Sequence, residues 1–443
     1  MDGHVFPRVN KPYPTAVAGE GCWIIDSDGK RYLDGSGGAA VSCLGHTHPK
    51  VIEAIRSQVG KLEFAHTAFF TNEPAEALAD ILADQAPGDL SRVYIVSGGS
   101  EAVESALKLA RQFHVENGEP SRYKIISRRQ SYHGNTLGAL NVGGQPQRKA
   151  IFEPMLPGVD QVSPCYAYRE KLDGESDDDY GTRLAQELDD KIMELGPDTV
   201  AAFMAETVSG ATLGTVPPVD GYFRKIRAVC DKHGVLLILD EVMCGMGRTG
   251  YLFACQEDGI VPDIVTCAKG LGGGYQSVGA MITTAKIYDT ITAGSGAFKH
   301  GHTYLGHPVA TAAALAVQTV IIEDDLLTRV RDKGQQFVAM LHDAFGNDPH
   351  IGDIRGRGFF QGLELVQDRA TKEPFDAKHN LHAKIKAAGM DEGLICYPYN
   401  GSVDGQRGDH ILLAPPFIIS DDEMGELVGR LRAAVDTALN TVR

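Results

Sequence analysis

The chain is predicted to fold as an α/β protein, with a mostly parallel central sheet in a large domain and a smaller α/β domain built from both termini. Three observations carry this. Short apolar strands alternate with longer helical stretches between about residues 90 and 290, the pattern of a parallel sheet with crossover helices. At least one of those strands runs through a glycine turn straight into a helix. Further strand-like runs lie near the C-terminal end, at residues 355–367 and 411–419. A chain of 443 residues can bury a large core and divide into domains. The expected division is 1–50 and 323–443 for the small domain, with 51–322 as the large one.

Arg92-Val93-Tyr94-Ile95-Val96 is a short strand that enters Ser97-Gly98-Gly99-Ser100. Glu101 then opens a helix with Val103, Ala106, Leu107 and Ala110 on one face. Strand, glycine turn and helix start form an anion site, because free N–H groups and the positive dipole end point at the turn. Val200 to Ala205 is an apolar run ended by Glu206, and Val235 to Leu239 is another, ended by Asp240-Glu241. A carboxylate just past a central strand lies at the carboxyl edge of the sheet, where open α/β folds bind ligands. Ile264-Val265-Thr266 is the end of a buried strand, and Lys269 follows it in Ala268-Lys269-Gly270-Leu271-Gly272-Gly273-Gly274. An amine held there without water can lose its proton near neutral pH and attack a carbonyl. Pro308 opens an alanine-rich helix through Ile322 that is apolar on most faces. A phosphate cradle, a carboxylate and an amine on one sheet edge together call for a phosphorylated aldehyde cofactor.

Composition narrows the function classes. A formal net charge of −16 opposes nucleic-acid binding. No apolar run is long enough to span a bilayer and no basic-plus-apolar leader is evident, so a cytoplasmic location is expected. Eight cysteines without a CxxC pair read as free thiols in a reducing compartment. His46, His48, His300, His302 and His307 lack carboxylate or cysteine partners at ligand spacing, so no metal site is expected. The acidic stretch from Asp173 to Asp190 is expected to be a solvated surface insert.

The chain resembles the class III aminotransferases, pyridoxal-phosphate enzymes of fold type I, almost from end to end. The likeness runs through Trp23 to Asp34, Leu44-Gly45-His46-Thr47-His48-Pro49, Gly99-Ser100-Glu101-Ala102, Tyr132-His133-Gly134, Asp240-Glu241-Val242 and Gly247-Arg248-Thr249-Gly250. It continues through Ala268-Lys269-Gly270, Gly301 to Pro308 and Arg355-Gly356-Arg357-Gly358. The resemblance implies that Lys269 carries the internal aldimine and shuttles the proton, while Asp240 pairs with the pyridine nitrogen. It implies cofactor contacts from Gly99, Ser100, Tyr132, His133, Gly134, Glu206 and Val242, with Thr303 supplied by a neighbouring subunit of a homodimer or higher homo-oligomer.

It also implies a transaminase that moves an amino group from an amine or ω-amino acid to a 2-oxo acid, pyruvate or 2-oxoglutarate, by a ping-pong cycle. The same scaffold hosts aminomutases, racemases and phospho-lyases, and a non-catalytic nucleotide-binding protein is a remote alternative. Arg407, just before the run Ile411 to Ala414, is the expected clamp for the acceptor carboxylate, and Arg169 is a second candidate. Three positions depart from the best-known branches. Met243 stands where many relatives carry Gln, Ala211 where they carry an acidic residue, and Gly37 to Val41 lacks an aromatic.

Overall fold

The structure is a computed structural model, which describes residues 4–6, 8–9 and 12–442; residues 1–3, 7, 10, 11 and 443, all within the expected small domain, lie outside the described residues. Strands β1 (Ala16–Glu20), β2 (Trp23–Asp26) and β3 (Arg31–Asp34) come first, followed by β4 (Leu90–Val96), β5 (Lys124–Arg128) and β6 (Asp160–Val162). Next come β7 (Val200–Glu206), β8 (Leu236–Asp240), β9 (Ile264–Cys267) and β10 (Gly279–Thr284). The C-terminal region adds β11 (Ile351–Arg357), β12 (Phe360–Leu365), β13 (Leu394–Ile395), β14 (Tyr397–Asn400) and β15 (Asp409–Leu413).

Seven of these strands form the central sheet in the order β4-β10-β9-β8-β7-β5-β6. Its inner strands run parallel, and β10 alone is reversed between β9 and β4. Every residue of β7, β8 and β9 is buried, as expected for strands covered by helices on both faces. Register then fixes the edge. Glu206 lies opposite Asp240, and Asp240 opposite Thr266. Two acidic residues and a threonine are therefore aligned where the strands end.

Two four-stranded sheets flank this core, in the orders β1-β2-β3-β13 and β11-β12-β15-β14. The first joins the two ends of the chain, because β13 pairs parallel with β3. The expected strand at 355–367 is instead a hairpin, β11 and β12, turning at Gly358, whose φ is +54°. The expected strand at 411–419 stops at Leu413. Pro415 and Pro416 have no N–H to continue a ladder.

The acidic stretch is not a solvated insert. Ser176 caps a helix, Asp177–Leu195, whose first turn holds Asp177, Asp178 and Asp179 beside the helix dipole. Tyr180, Leu184, Leu188 and Ile192 repeat every four residues and are buried, so the negative charge decorates only the outer face of a core helix.

Candidate active site

The carboxyl ends of β4, β7, β8 and β9 open into a cavity of about 480 Å³. Its lining includes Gly99, Ser100, Tyr132, His133, Gly134, Glu206, Asp240, Val242 and Lys269. Nine of the sequence-predicted site residues thus meet in one place.

Each is positioned by a local feature. Lys269 follows β9 with φ +47°, a left-handed conformation that a side chain adopts only under constraint. Here its carbonyl is tied down by the N–H groups of Gly272 (3.1 Å) and Gly273 (2.9 Å). Burial lowers the pKa of the Lys269 amine, and the nearby carboxylates of Asp240 and Glu206 act against that shift. The Asp240 carboxylate is held at both oxygens. His133 Nδ1 lies 2.8 Å from Oδ2, and the Val242 N–H donates to Oδ1 at 2.9 Å. Glu206 accepts from the N–H of Tyr132 (3.1 Å) and of Gly210 (2.9 Å), and burial raises its pKa.

The helix Gly99–Glu116 begins at this edge with no side-chain cap. Its first N–H groups have no partner within the helix, and Gly99 and Ser100 line the cavity. Gly99 and Gly134 are required by close approach. A Cβ on Gly99 would lie 2.8 Å from Val242 Cγ1. One on Gly134, at φ +134°, would lie 2.6 Å from Ser100 Oγ. Ser100 Oγ accepts the N–H of Asn135 at 3.1 Å, which locks the Tyr132-His133-Gly134 loop onto the helix start.

A phosphorylated pyridine aldehyde fits these residues. The uncapped helix start suits a phosphate, the amine suits the aldehyde, and the oriented carboxylate suits a protonated ring nitrogen. His133 Nε2 and Thr266 Oγ1 are buried beside them without a hydrogen-bond partner.

Three predicted residues lie elsewhere. Thr303 sits in an exposed turn of this chain. Arg407 is a loop residue whose guanidinium meets Asp404 at 2.8 Å and Glu373 at 3.5 Å. Arg169 donates to Glu364 and to the Lys372 carbonyl, both at 2.6 Å. Carboxylates of the chain itself thus hold both arginines away from the cavity lining. Conversely, Met243, Cys244, Tyr275 and Gln276 line the cavity and were not predicted as site residues. Tyr275 accepts the N–H of His48 (2.8 Å) and donates to the Gly45 carbonyl (3.1 Å). That bond gives the Leu44 to Pro49 motif its place beside the glycine turn.

The model of the family described as aminotransferase class-III matches residues 7–435. An aminotransferase of Schizosaccharomyces pombe is 45% identical over 427 residues, covering 96% of this chain and 93% of that protein. An aminotransferase of Bacillus subtilis is 38% identical, covering 95% of each. Among solved structures, an (S)-enantioselective omega-transaminase from Thermomicrobium roseum superposes with a TM-score of 0.92 at 38% identity, over 99% of this chain and 96% of that one. The aminotransferase from Vibrio fluvialis in its PMP-bound form gives 0.90 at 33% identity, over 97% and 94%. A cavity at the carboxyl edge of a mostly parallel sheet, with lysine, aspartate and an uncapped helix start, agrees with these likenesses: the chain belongs to the class III aminotransferases, enzymes of fold type I that use pyridoxal phosphate.

Proposed function

We propose that this enzyme moves an amino group from an amine or ω-amino acid to a 2-oxo acid, pyruvate or 2-oxoglutarate, in a ping-pong cycle. The observation that carries the reading is the Lys269 amine, deprotonated more readily through burial, in one cavity with the anchored Asp240 carboxylate. When bound, pyridoxal phosphate supplies an electron sink for negative charge at the substrate carbon bearing nitrogen. Lys269 Nζ takes the proton from that carbon of the donor and carries it away towards the cofactor, and in the second half of the cycle it delivers a proton to the corresponding carbon of the acceptor. Asp240, fixed by His133 and Val242, keeps its charge aimed at one point and stabilises a proton there. Gly99 and Ser100 would hold the phosphate at the helix start, while Tyr132 and Val242 would confine the ring and exclude water.

In this reading the active unit is a homodimer or higher homo-oligomer, and Thr303 serves a neighbour's site. The turn that carries it is exposed, and large apolar side chains stand in solvent at Phe69, Phe70 and Tyr304, as on a surface awaiting a partner. A small domain from residues 1–50 and 323–443, around the large domain 51–322, accords with the β3–β13 pairing. A cytoplasmic location accords with eight cysteines that are all free and buried. Among the described residues no helix is long and apolar enough to cross a membrane.

The test is the visible spectrum of the purified protein with pyridoxal phosphate. A donor amine should bleach the cofactor band, a 2-oxo acid should restore it, and borohydride should fix the cofactor on Lys269. Product formation with the band unbleached would point to a mutase, racemase or lyase. No band at all would sink the reading.

A further inference from the structure

The cavity is flanked by an arginine that has no carboxylate of its own. Arg148 follows Pro146 in a single helical turn. Its guanidinium carbon lies 4.8 Å from the ring centre of Tyr132 and 5.3 Å from that of Tyr399. Tyr132 lines the cavity. Tyr399 stacks on Tyr397, with ring centres 6.4 Å apart and planes 23° apart. Tyr397 in turn packs on the apolar wall that includes Val208, Met243 and Cys244, all three of which line the cavity.

Arg148 makes no ion pair with any described residue, and its Nε is buried without a hydrogen-bond partner. The contrast with Arg407 and Arg169, each spoken for by a carboxylate, is direct. Stacking uses the faces of a guanidinium and holds its plane, which leaves the in-plane N–H groups free along its edge. That edge is the half of a bidentate clamp that a planar carboxylate completes.

We propose that Arg148, clasped between Tyr132 and Tyr399, is the specificity-determining residue that binds a substrate carboxylate remote from the reacting amine, so that straight-chain ω-amino carboxylates are the preferred donors. This rests on the transaminase reading above and sharpens its donor class. The position agrees with the electrostatics of the site, since the charge of Arg148 reaches Lys269 and opposes its protonation. A carboxylate seated on Arg148 cancels that charge while the donor is bound.

The experiment compares pairs of donors of equal chain length in the holoenzyme: 4-aminobutyrate with n-butylamine, and 6-aminohexanoate with n-hexylamine. The readout is the apparent Kd from cofactor-band bleaching. For R148M the ratio of the two Kd values within a pair should shift against the carboxylate by about tenfold to a hundredfold, the loss of one charge-assisted clamp. Disturbed packing of Tyr132 would weaken both members alike and leave the ratio fixed. R148K, which keeps the charge but loses the planar two-pronged edge, should fall between wild type and R148M. An unchanged ratio in both variants overturns the proposal, as does an R407A variant that alone shifts it.

A second measurement is independent of turnover. Glutarate has neither an amine nor an oxo group, so calorimetry reads the carboxylate site alone. Wild type should bind it, and R148M should bind it about tenfold or more weakly. No binding by wild type, or equal binding by both, refutes Arg148 as the clamp. Absence of the cofactor band in wild type refutes the transaminase reading instead, so the two failures are distinct.

Discussion

Replacing Arg169 by Met separates a structural arginine from a substrate clamp. Glu364 is fully buried and receives the Arg169 Nε (2.6 Å), the Arg355 Nη1 (2.6 Å) and the Tyr166 hydroxyl. Arg355 also meets Asp353 at 2.9 Å. The group holds two guanidiniums and two carboxylates and is neutral as a whole. R169M leaves it with one excess negative charge that Arg355 must share with Asp353.

Breaking a buried ion pair costs about 3–5 kcal/mol, and the surviving Arg355 places this case near the lower end, about 3 kcal/mol. In a chain of 443 residues that lowers Tm by roughly 3 °C. The sign with pH follows. Burial by itself raises the Glu364 carboxyl, but Arg355 and Arg169 outweigh it and hold its pKa below the usual 4.5. A depressed carboxyl contributes stability that is present above its unfolded pKa and is lost as the pH falls through its folded one. The gap between wild type and R169M should therefore narrow below about pH 4. Calorimetric melting across pH, with KM for pyruvate and 2-oxoglutarate on the same samples, is the assay. An unchanged Tm with a tenfold rise in KM for the oxo acid would return Arg169 to the substrate site.

Other residues give sharper single readouts. His410 is buried, its pKa pulled down to about 4 by burial and by nearby Arg355, against its bond to the Ala211 carbonyl. The unfolded chain takes up a proton first as pH falls, so wild type should lose about 3 kcal/mol more than H410Q between neutral pH and about 4. Parallel urea titrations of the two proteins would refute this if their curves fall together. G134A forces a Cβ against Ser100 at a φ of +134°. Strain of about 1–3 kcal/mol at the phosphate cradle should leave much of the protein colourless after dialysis, and full cofactor retention would show that Ser100 does not bear on it. D240N keeps the shape but loses the charge, so the rate of the donor half-reaction should drop about a hundredfold or more with the cofactor still bound; stopped-flow bleaching at the wild-type rate would count against a role for the Asp240 charge.

Much of the site is legible in the chain because burial is so complete along three strands. In Val200–Glu206, Leu236–Asp240 and Ile264–Cys267 the only ionisable carboxyls are the terminal Glu206 and Asp240. A charge is tolerated there only at the exit from the sheet, so its place in sequence marks its place in space. The cradle is readable for a similar reason, since strand, glycine turn and amphipathic helix are contiguous. The helix Asp177–Leu195 was misread because three aspartates at its start mask the four-residue spacing of Tyr180, Leu184, Leu188 and Ile192.

Loop partnerships carry no such mark. His133 meets Asp240 across 107 residues, and Tyr132, Arg148 and Tyr399 converge from a loop, a short helical turn and the strand β14. Arg407 and Arg148 look alike as sequence, each an arginine in a connection between strands. Only the fold reveals that Asp404 takes one and that two aromatic faces leave the other's donors free. The groups proposed for the chemistry therefore sit where strand chemistry announces them, while the arginine proposed to choose the substrate sits in a short helical turn off the sheet. A change of donor through Arg148 would leave untouched the strand ends that hold Asp240 and Lys269, so motifs at those strand ends identify the reaction more readily than the substrate.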